Sequence, residues 1–408
     1  MNTPSPAAAL LEFIDACPSP YHAAAEVARR LDAAGFVDVT ATDLPPVGDA
    51  YVREGGMLIA WRLADRFLTA PRRIIGAHTD SPNLRLKPRP DLSGSGMRRL
   101  AAEPYGGALL NSWLDRDLGL SGRVSVRAAD GSTEVRLVRD DRPLLRVPQL
   151  AIHLDRQINE QGLLLDKQRH LNPVWGIGSA EEGDFAAWLA ASVDTEPDDI
   201  VGWDLMCHDT TPSGFLGPGE DLISAPRLDN LCSCFGALSA LLATEPGNVI
   251  PMIALFDHEE IGSETATGAG SPQLGLVLDR IDAALDCDAE DRAHVRRTSR
   301  ILSADMAHAT HPNYPERHEP NHPIALGGGP VVKVNVNGRY ASDALTAGEF
   351  RVLAAEAEVP TQTYAHRADL ACGSTIGPIA AARLGIPTVD VGMPQLSMHS
   401  ARELMAAA

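Results

Sequence analysis

Four apolar runs in this chain share a habit: each leads into acidic or imidazole side chains. Residues 72–77 lead into His78-Thr79-Asp80, and residues 249–256 lead into Asp257-His258-Glu259-Glu260. Residues 301–304 lead into Asp305, and residues 386–391 lead through Gly392-Met393-Pro394 toward His399. Short apolar runs bounded by turn residues predict buried strands. Helical patterning predicts helices over 20–34, 230–244 and 375–384, and residues 1–11 read as the start of another. Strands alternating with helices imply an α/β fold, a mostly parallel sheet sandwiched by helices. Such sheets bind ligands beyond the carboxyl ends of their strands, where these side chains fall.

The pattern changes in the middle of the chain. From about 90 to 219 it alternates over short stretches, as in Arg123-Val124-Ser125-Val126-Arg127, with turn signals at Asp130-Gly131 and Gly217-Pro218-Gly219. Alternation punctuated by turns predicts an antiparallel, β-rich insertion. The catalytic domain is then expected to be discontinuous, 1–89 plus 220–408, around an inserted domain at 90–219.

Composition narrows the possibilities. A length of 408 residues, 44% of them hydrophobic, suits a globular chain of two domains. No run reaches the roughly 18 apolar residues of a membrane span, and no basic segment precedes the N-terminal apolar stretch. Thirty-five basic residues against 54 acidic ones give a net charge of −19, which repels phosphate backbones and argues against nucleic acid as a partner. The six cysteines form no zinc-ribbon spacing; they read as reduced, mostly buried thiols, favouring a cytoplasmic location. No strand is followed by G-x-G-x-x-G, which excludes a dinucleotide-dependent oxidoreductase.

A site for two divalent ions needs ligands for each ion, a bridging carboxylate, and a base for the attacking water. Imidazole and carboxylate ligands without thiolates suit zinc, cobalt or manganese. The candidates are His78, Asp229, Glu260, Asp305 and His399, with Glu259 as base. In an extended segment Asp80 falls on the same face as His78 and can accept from its ring N–H, fixing the tautomer. Adjacent Glu259 and Glu260 at a buried strand end would repel unless a cation lay between them, although a solvated acidic loop has the same spelling. Asp229 stands just before a predicted helix and reads equally as a bridging ligand or as a helix cap. His399, by itself, also reads as a packed core histidine.

Ten blocks in order along the chain resemble the aspartyl aminopeptidase family of dinuclear metallo-aminopeptidases. They include Gly76-Ala77-His78-Thr79-Asp80-Ser81-Pro82-Asn83, Arg227-Leu228-Asp229-Asn230, Asp257-His258-Glu259-Glu260-Ile261-Gly262-Ser263, Asp305-Met306-Ala307-His308 and Gln395-Leu396-Ser397-Met398-His399-Ser400.

The resemblance implies a zinc-exopeptidase-type catalytic domain with an inserted β-rich dimerisation domain, hydrolysing N-terminal residues from peptides. It implies that His78, Asp229 and Asp305 hold one ion and Asp229, Glu260 and His399 the other, with Asp229 bridging, Asp80 orienting His78, and Glu259 as base. It further implies a dodecamer built from dimers, in which His153 of the insertion reaches a neighbouring subunit's site. For members that prefer acidic N-terminal residues, Lys333 matches the group facing the substrate carboxylate, and His308 and Tyr340 are further pocket candidates. Without the family, Lys333 reads as a solvent-facing strand lysine. Members continue past the final histidine motif into a terminal helix, whereas this chain stops at Ala408.

Overall fold

The structure is a computed structural model that describes residues 5–42, 48–63, 69–245 and 247–408. The chain divides into two compact units. One comprises Met1–Asp80, Ser213–Met398 and Glu403–Ala408; the other comprises Ser81–Pro212 and His399–Arg402.

The first unit is built on a nine-stranded sheet. Its centre is four parallel strands in the order Ile250–Phe256, Arg72–His78, Arg300–Ala304 and Thr388–Gly392. Met57–Leu63 flanks this centre antiparallel on one side and Val331–Val334 on the other. All seven residues of Ile250–Phe256 are buried, because helices cover both faces of the sheet. Ile253 and Leu255 join the core formed with helices Pro6–Ala16, Pro20–Ala33 and Leu228–Ala243. Met252, Ala254 and Phe256 point the other way, into the core beneath helices Gln273–Ala284 and Ile376–Leu384. The two-residue period survives within a run that looks uniformly apolar. Burying each such Leu, Ile or Phe contributes about 1.5–3 kcal/mol.

The expected helices are present within a residue or two of their predicted ends. Ser19 caps the second, its hydroxyl accepting from the His22 N–H, with Pro20 in the first turn. The first helix begins at Pro6; residues 1–4 of that prediction lie outside the described residues. A small five-stranded sheet completes this unit, in the order Gly214–Leu216, Leu222–Ala225, Glu403–Ala406, Pro394–Leu396 and Ala307–His308.

The second unit is a six-stranded antiparallel sheet, in the order Thr133–Leu145, Leu118–Arg127, Ile200–Asp209, Asn83–Gly94, Met97–Tyr105 and Val174–Ile177. Its core gathers alternate strand residues such as Leu84, Leu120 and Val124 with Phe185 and Leu189 of helix Asp184–Ser192. All six cysteines are free thiols, four of them buried. Among the described residues, no helix is long and apolar enough to cross a membrane.

Candidate metal centre

The sheet order sets three candidate-bearing strand ends side by side. His78 is the last residue of its strand and pairs with Phe256, so the turn that follows Phe256 starts beside it. That turn carries His258 at φ 64° and then a short 3₁₀ segment, Glu259–Ile261, closed by Gly262 at φ 100°. Asp305 follows directly on Arg300–Ala304, the neighbour of the His78 strand. Asp229 opens the helix Leu228–Ala243, but its backbone is not helical (φ −84°, ψ 101°) and the helix start has no side-chain cap. The Asp229–Asn230 peptide is cis, the Asp229 N–H donates to the Glu403 carboxylate at 3.0 Å, and the Asn230 amide donates to the Ala304 carbonyl at 2.7 Å.

His78 is 1% exposed. Its Nδ1 lies 2.9 Å from the Asp80 carbonyl oxygen, which only accepts, so Nδ1 carries a proton and Nε2 is the nitrogen that offers a lone pair when the ring is neutral. Two carboxylates converge on Nε2: Asp229 Oδ1 at 3.4 Å and Asp305 Oδ1 at 3.8 Å. Ligand atoms of His78, Asp229 and Asp305 lie within 4.8 Å of one another, as do those of His78, Glu259 and Glu260, and those of Asp229 and Glu260. Three acceptors facing one point inside a protein repel unless a proton or cation stands between them. The donor set, imidazole and carboxylate without thiolate, fits zinc, cobalt or manganese.

The acid–base properties report the same crowding. Burial opposes a charge on His78, yet the carboxylates of Asp229, Asp305 and Asp80 hold its pKa well above the usual imidazole value. Burial pushes Glu259 up to about 8, with the charges of Asp305, Asp80 and Asp229 adding to the shift and His78 opposing it. The Asp80 carboxylate lies 3.4 Å from His78 Nδ1, farther than its own carbonyl. It also accepts from the backbone N–H groups of Glu259 at 3.0 Å and Glu260 at 3.2 Å. One residue thus ties the histidine to the glutamate turn.

His399 belongs to the second unit. Its Nδ1 lies 3.1 Å from the Gly107 carbonyl oxygen, which again leaves Nε2 as the lone-pair nitrogen. His153, in the same unit, is exposed within a turn segment. His308 is exposed as well, its ring 6.1 Å from that of Tyr364.

Lys333 does not face solvent: it is 3% exposed. Its ammonium donates to the carbonyls of Asp305 at 2.8 Å and Met306 at 3.2 Å, 3.8 Å from the Asp305 carboxylate. The Tyr340 ring lies over it, 5.2 Å from Nζ to the centroid. Two of the buried acids that escaped sequence reasoning, Glu403 and Asp390, lie beside candidate site residues. Glu403 follows the last histidine motif with no pattern to mark it. Asp390, an acid inside the apolar run 386–391, carried a signal that went unread; burial raises its pKa while the nearby Lys333 charge lowers it.

A parallel-centred α/β sheet with imidazole and carboxylates gathered at its strand ends defines a metal-dependent hydrolase. The aminopeptidase I zinc metalloprotease (M18) family model matches residues 13–408, and the chain belongs to that family. It is 52% identical over 409 residues to the probable M18 family aminopeptidase 2 of Mycobacterium leprae, covering 99% of this chain and 95% of that protein. Among solved structures, it resembles Ape4 from a complex with Nbr1, at TM-score 0.94 and 35% identity, over 99% of this chain and 82% of that one. It also resembles the S. cerevisiae mApe1 dodecamer, at TM-score 0.84 and 27% identity, over 99% of this chain and 93% of that one. The chain is accordingly a metallo-aminopeptidase, a hydrolase acting as an exopeptidase.

Proposed function

We propose that this enzyme removes single N-terminal residues, acidic ones above all, from peptides, using two divalent ions per subunit with zinc as the native metal. The observation that carries the reading is the convergence of Asp229 and Asp305 on His78 Nε2, beside the Glu259–Glu260 turn. His78, Asp229 and Asp305 would hold one ion, and Asp229, Glu260 and His399 the other. Ions held there supply positive charge that acidifies water and polarises the scissile carbonyl. Glu259 takes the proton of the attacking water and delivers it to the leaving amine. Asp80 keeps His78 and the glutamate turn in register. The surrounding carboxylates hold the substrate's free α-amine, which restricts cleavage to the first residue.

Lys333, with His308 and Tyr340, faces the N-terminal side chain and supplies the local positive charge for an acidic one. The molecule's net charge of −19 opposes such substrates at a distance, but screening beyond about 8–10 Å leaves the pocket's own charges in control.

The enzyme assembles into a homo-oligomer, a dodecamer built from dimers, like the yeast relative whose solved structure is described as one. His153 is flanked by exposed Leu150, Ile152 and Leu154, an apolar stretch that suits contact with another subunit. The free thiols fit a reducing, cytoplasmic setting.

A panel of aminoacyl chromogenic substrates, run after chelation and after re-addition of zinc, cobalt and manganese, tests this reading. Activity should vanish on chelation, return with metal, be highest on aspartyl and glutamyl substrates, and require a free α-amine. Equal cleavage of N-acylated substrates would make the enzyme a deacylase instead.

A further inference from the structure

Lys333 and Tyr340 stand on separate segments, and a single buried acid holds the second in place beside the first. Asp390 is 0% exposed and lies in the strand Thr388–Gly392. Its Oδ2 accepts from the Ala341 N–H at 2.5 Å, and its Oδ1 accepts from the Thr375 hydroxyl at 2.6 Å. Its own N–H donates to Ser342 Oγ at 2.8 Å. Ala341 follows Tyr340 directly, so the carboxylate grips the peptide just behind the ring that covers the Lys333 ammonium.

Thr375 in turn caps the helix Ile376–Leu384, its oxygen accepting from the Gly377 N–H at 3.2 Å. The fit is close: a Cβ at Gly377 would lie 2.4 Å from Asp390 Oδ2, so that helix start admits no side chain. The neighbours of Asp390 in the strand, Val389 and Val391, are buried apolar residues. A carboxylate between them carries a desolvation cost that an aliphatic residue would avoid. What it does that valine could not is hold two separate segments by hydrogen bonds to one charged group.

We propose that Asp390 is a positioning residue of the substrate pocket. By fixing residues 340–342 it sets Tyr340 over Lys333, and so determines which N-terminal side chain fits without itself touching substrate. The proposal rests on the reading that Lys333 and Tyr340 face that side chain.

The test uses the full-length, metal-loaded enzyme and acidic, aliphatic and basic aminoacyl substrates. In Asp390→Asn, KM for the preferred substrates should rise about tenfold while kcat stays within about twofold, so that selectivity flattens. Ser342→Ala, which removes one hydroxyl and leaves the buried acid in place, should shift the profile the same way by less, and it serves if the first variant folds poorly. A purely structural role predicts an equal loss on every substrate, and that outcome overturns the proposal. Lys333→Met, run alongside, separates the two ideas. An unchanged profile in Lys333→Met sinks the pocket reading, and this proposal falls with it. An altered profile there, with wild-type selectivity in both Asp390→Asn and Ser342→Ala, sinks the positioning role alone.

Discussion

At the scale of single residues, the proposed chemistry rests on Glu259. Glu259→Gln keeps the size of the side chain and removes its ability to take a proton. The variant should lose about 10²–10⁴ of kcat, the range for a missing general base, while metal content measured by atomic absorption stays at the wild-type level. Full turnover with metal bound would remove Glu259 from the mechanism. The positions of His78, Glu259, Glu260 and Asp305 could be read from the chain because each follows a strand whose apolar run is visible in one dimension. The surroundings of Lys333 could not. Val-Lys-Val in a strand looks like one outward side chain between two inward ones. Its burial depends on carbonyls of Asp305 and Met306 and on a ring from Tyr340, which only the folded chain brings to it. Asp229 shows the same limit, since the spelling of a helix cap and of a ligand at a helix start is identical.

At the scale of elements, strand type and helix position followed from periodicity, and the antiparallel character of the middle segment followed from alternation and turns. The small five-stranded sheet did not, because its strands run two to four residues, too short for a period to register. The antiparallel sheet also contains a polar link that no pattern announces. Asp141 is held down to about 2, chiefly by its hydrogen bond to buried His208, 3.1 Å away, with Arg139 assisting. A carboxyl depressed on folding adds stability that is present above its unfolded value of 3.8 and lost as pH falls toward 2. Asp141→Asn should therefore unfold more readily than wild type in urea at pH 5–6, with the difference closing as the pH approaches 2. A constant difference across that window would mean that packing, not charge, accounts for the effect.

At the scale of the whole molecule, an acidic chain buries several of its carboxylates at one point. Cations that bind the folded form and not the unfolded one add stability of about 2.7 kcal/mol when present at a hundredfold over Kd. Chelated enzyme should melt several degrees below the loaded form in a calorimeter, and zinc should restore the loss. Equal melting points would mean that the folded chain tolerates its clustered acids without help. The parallel centre of the sheet is what gathers those acids: residues distant in sequence meet because adjacent strands end on the same side.

The bond from the Asp229 N–H to Glu403 couples the two ends of a long stretch of chain. The helix start that carries Asp229 is braced by the strand Glu403–Ala406, 174 residues further along the chain. Loosening that strand should consequently loosen the helix start as well.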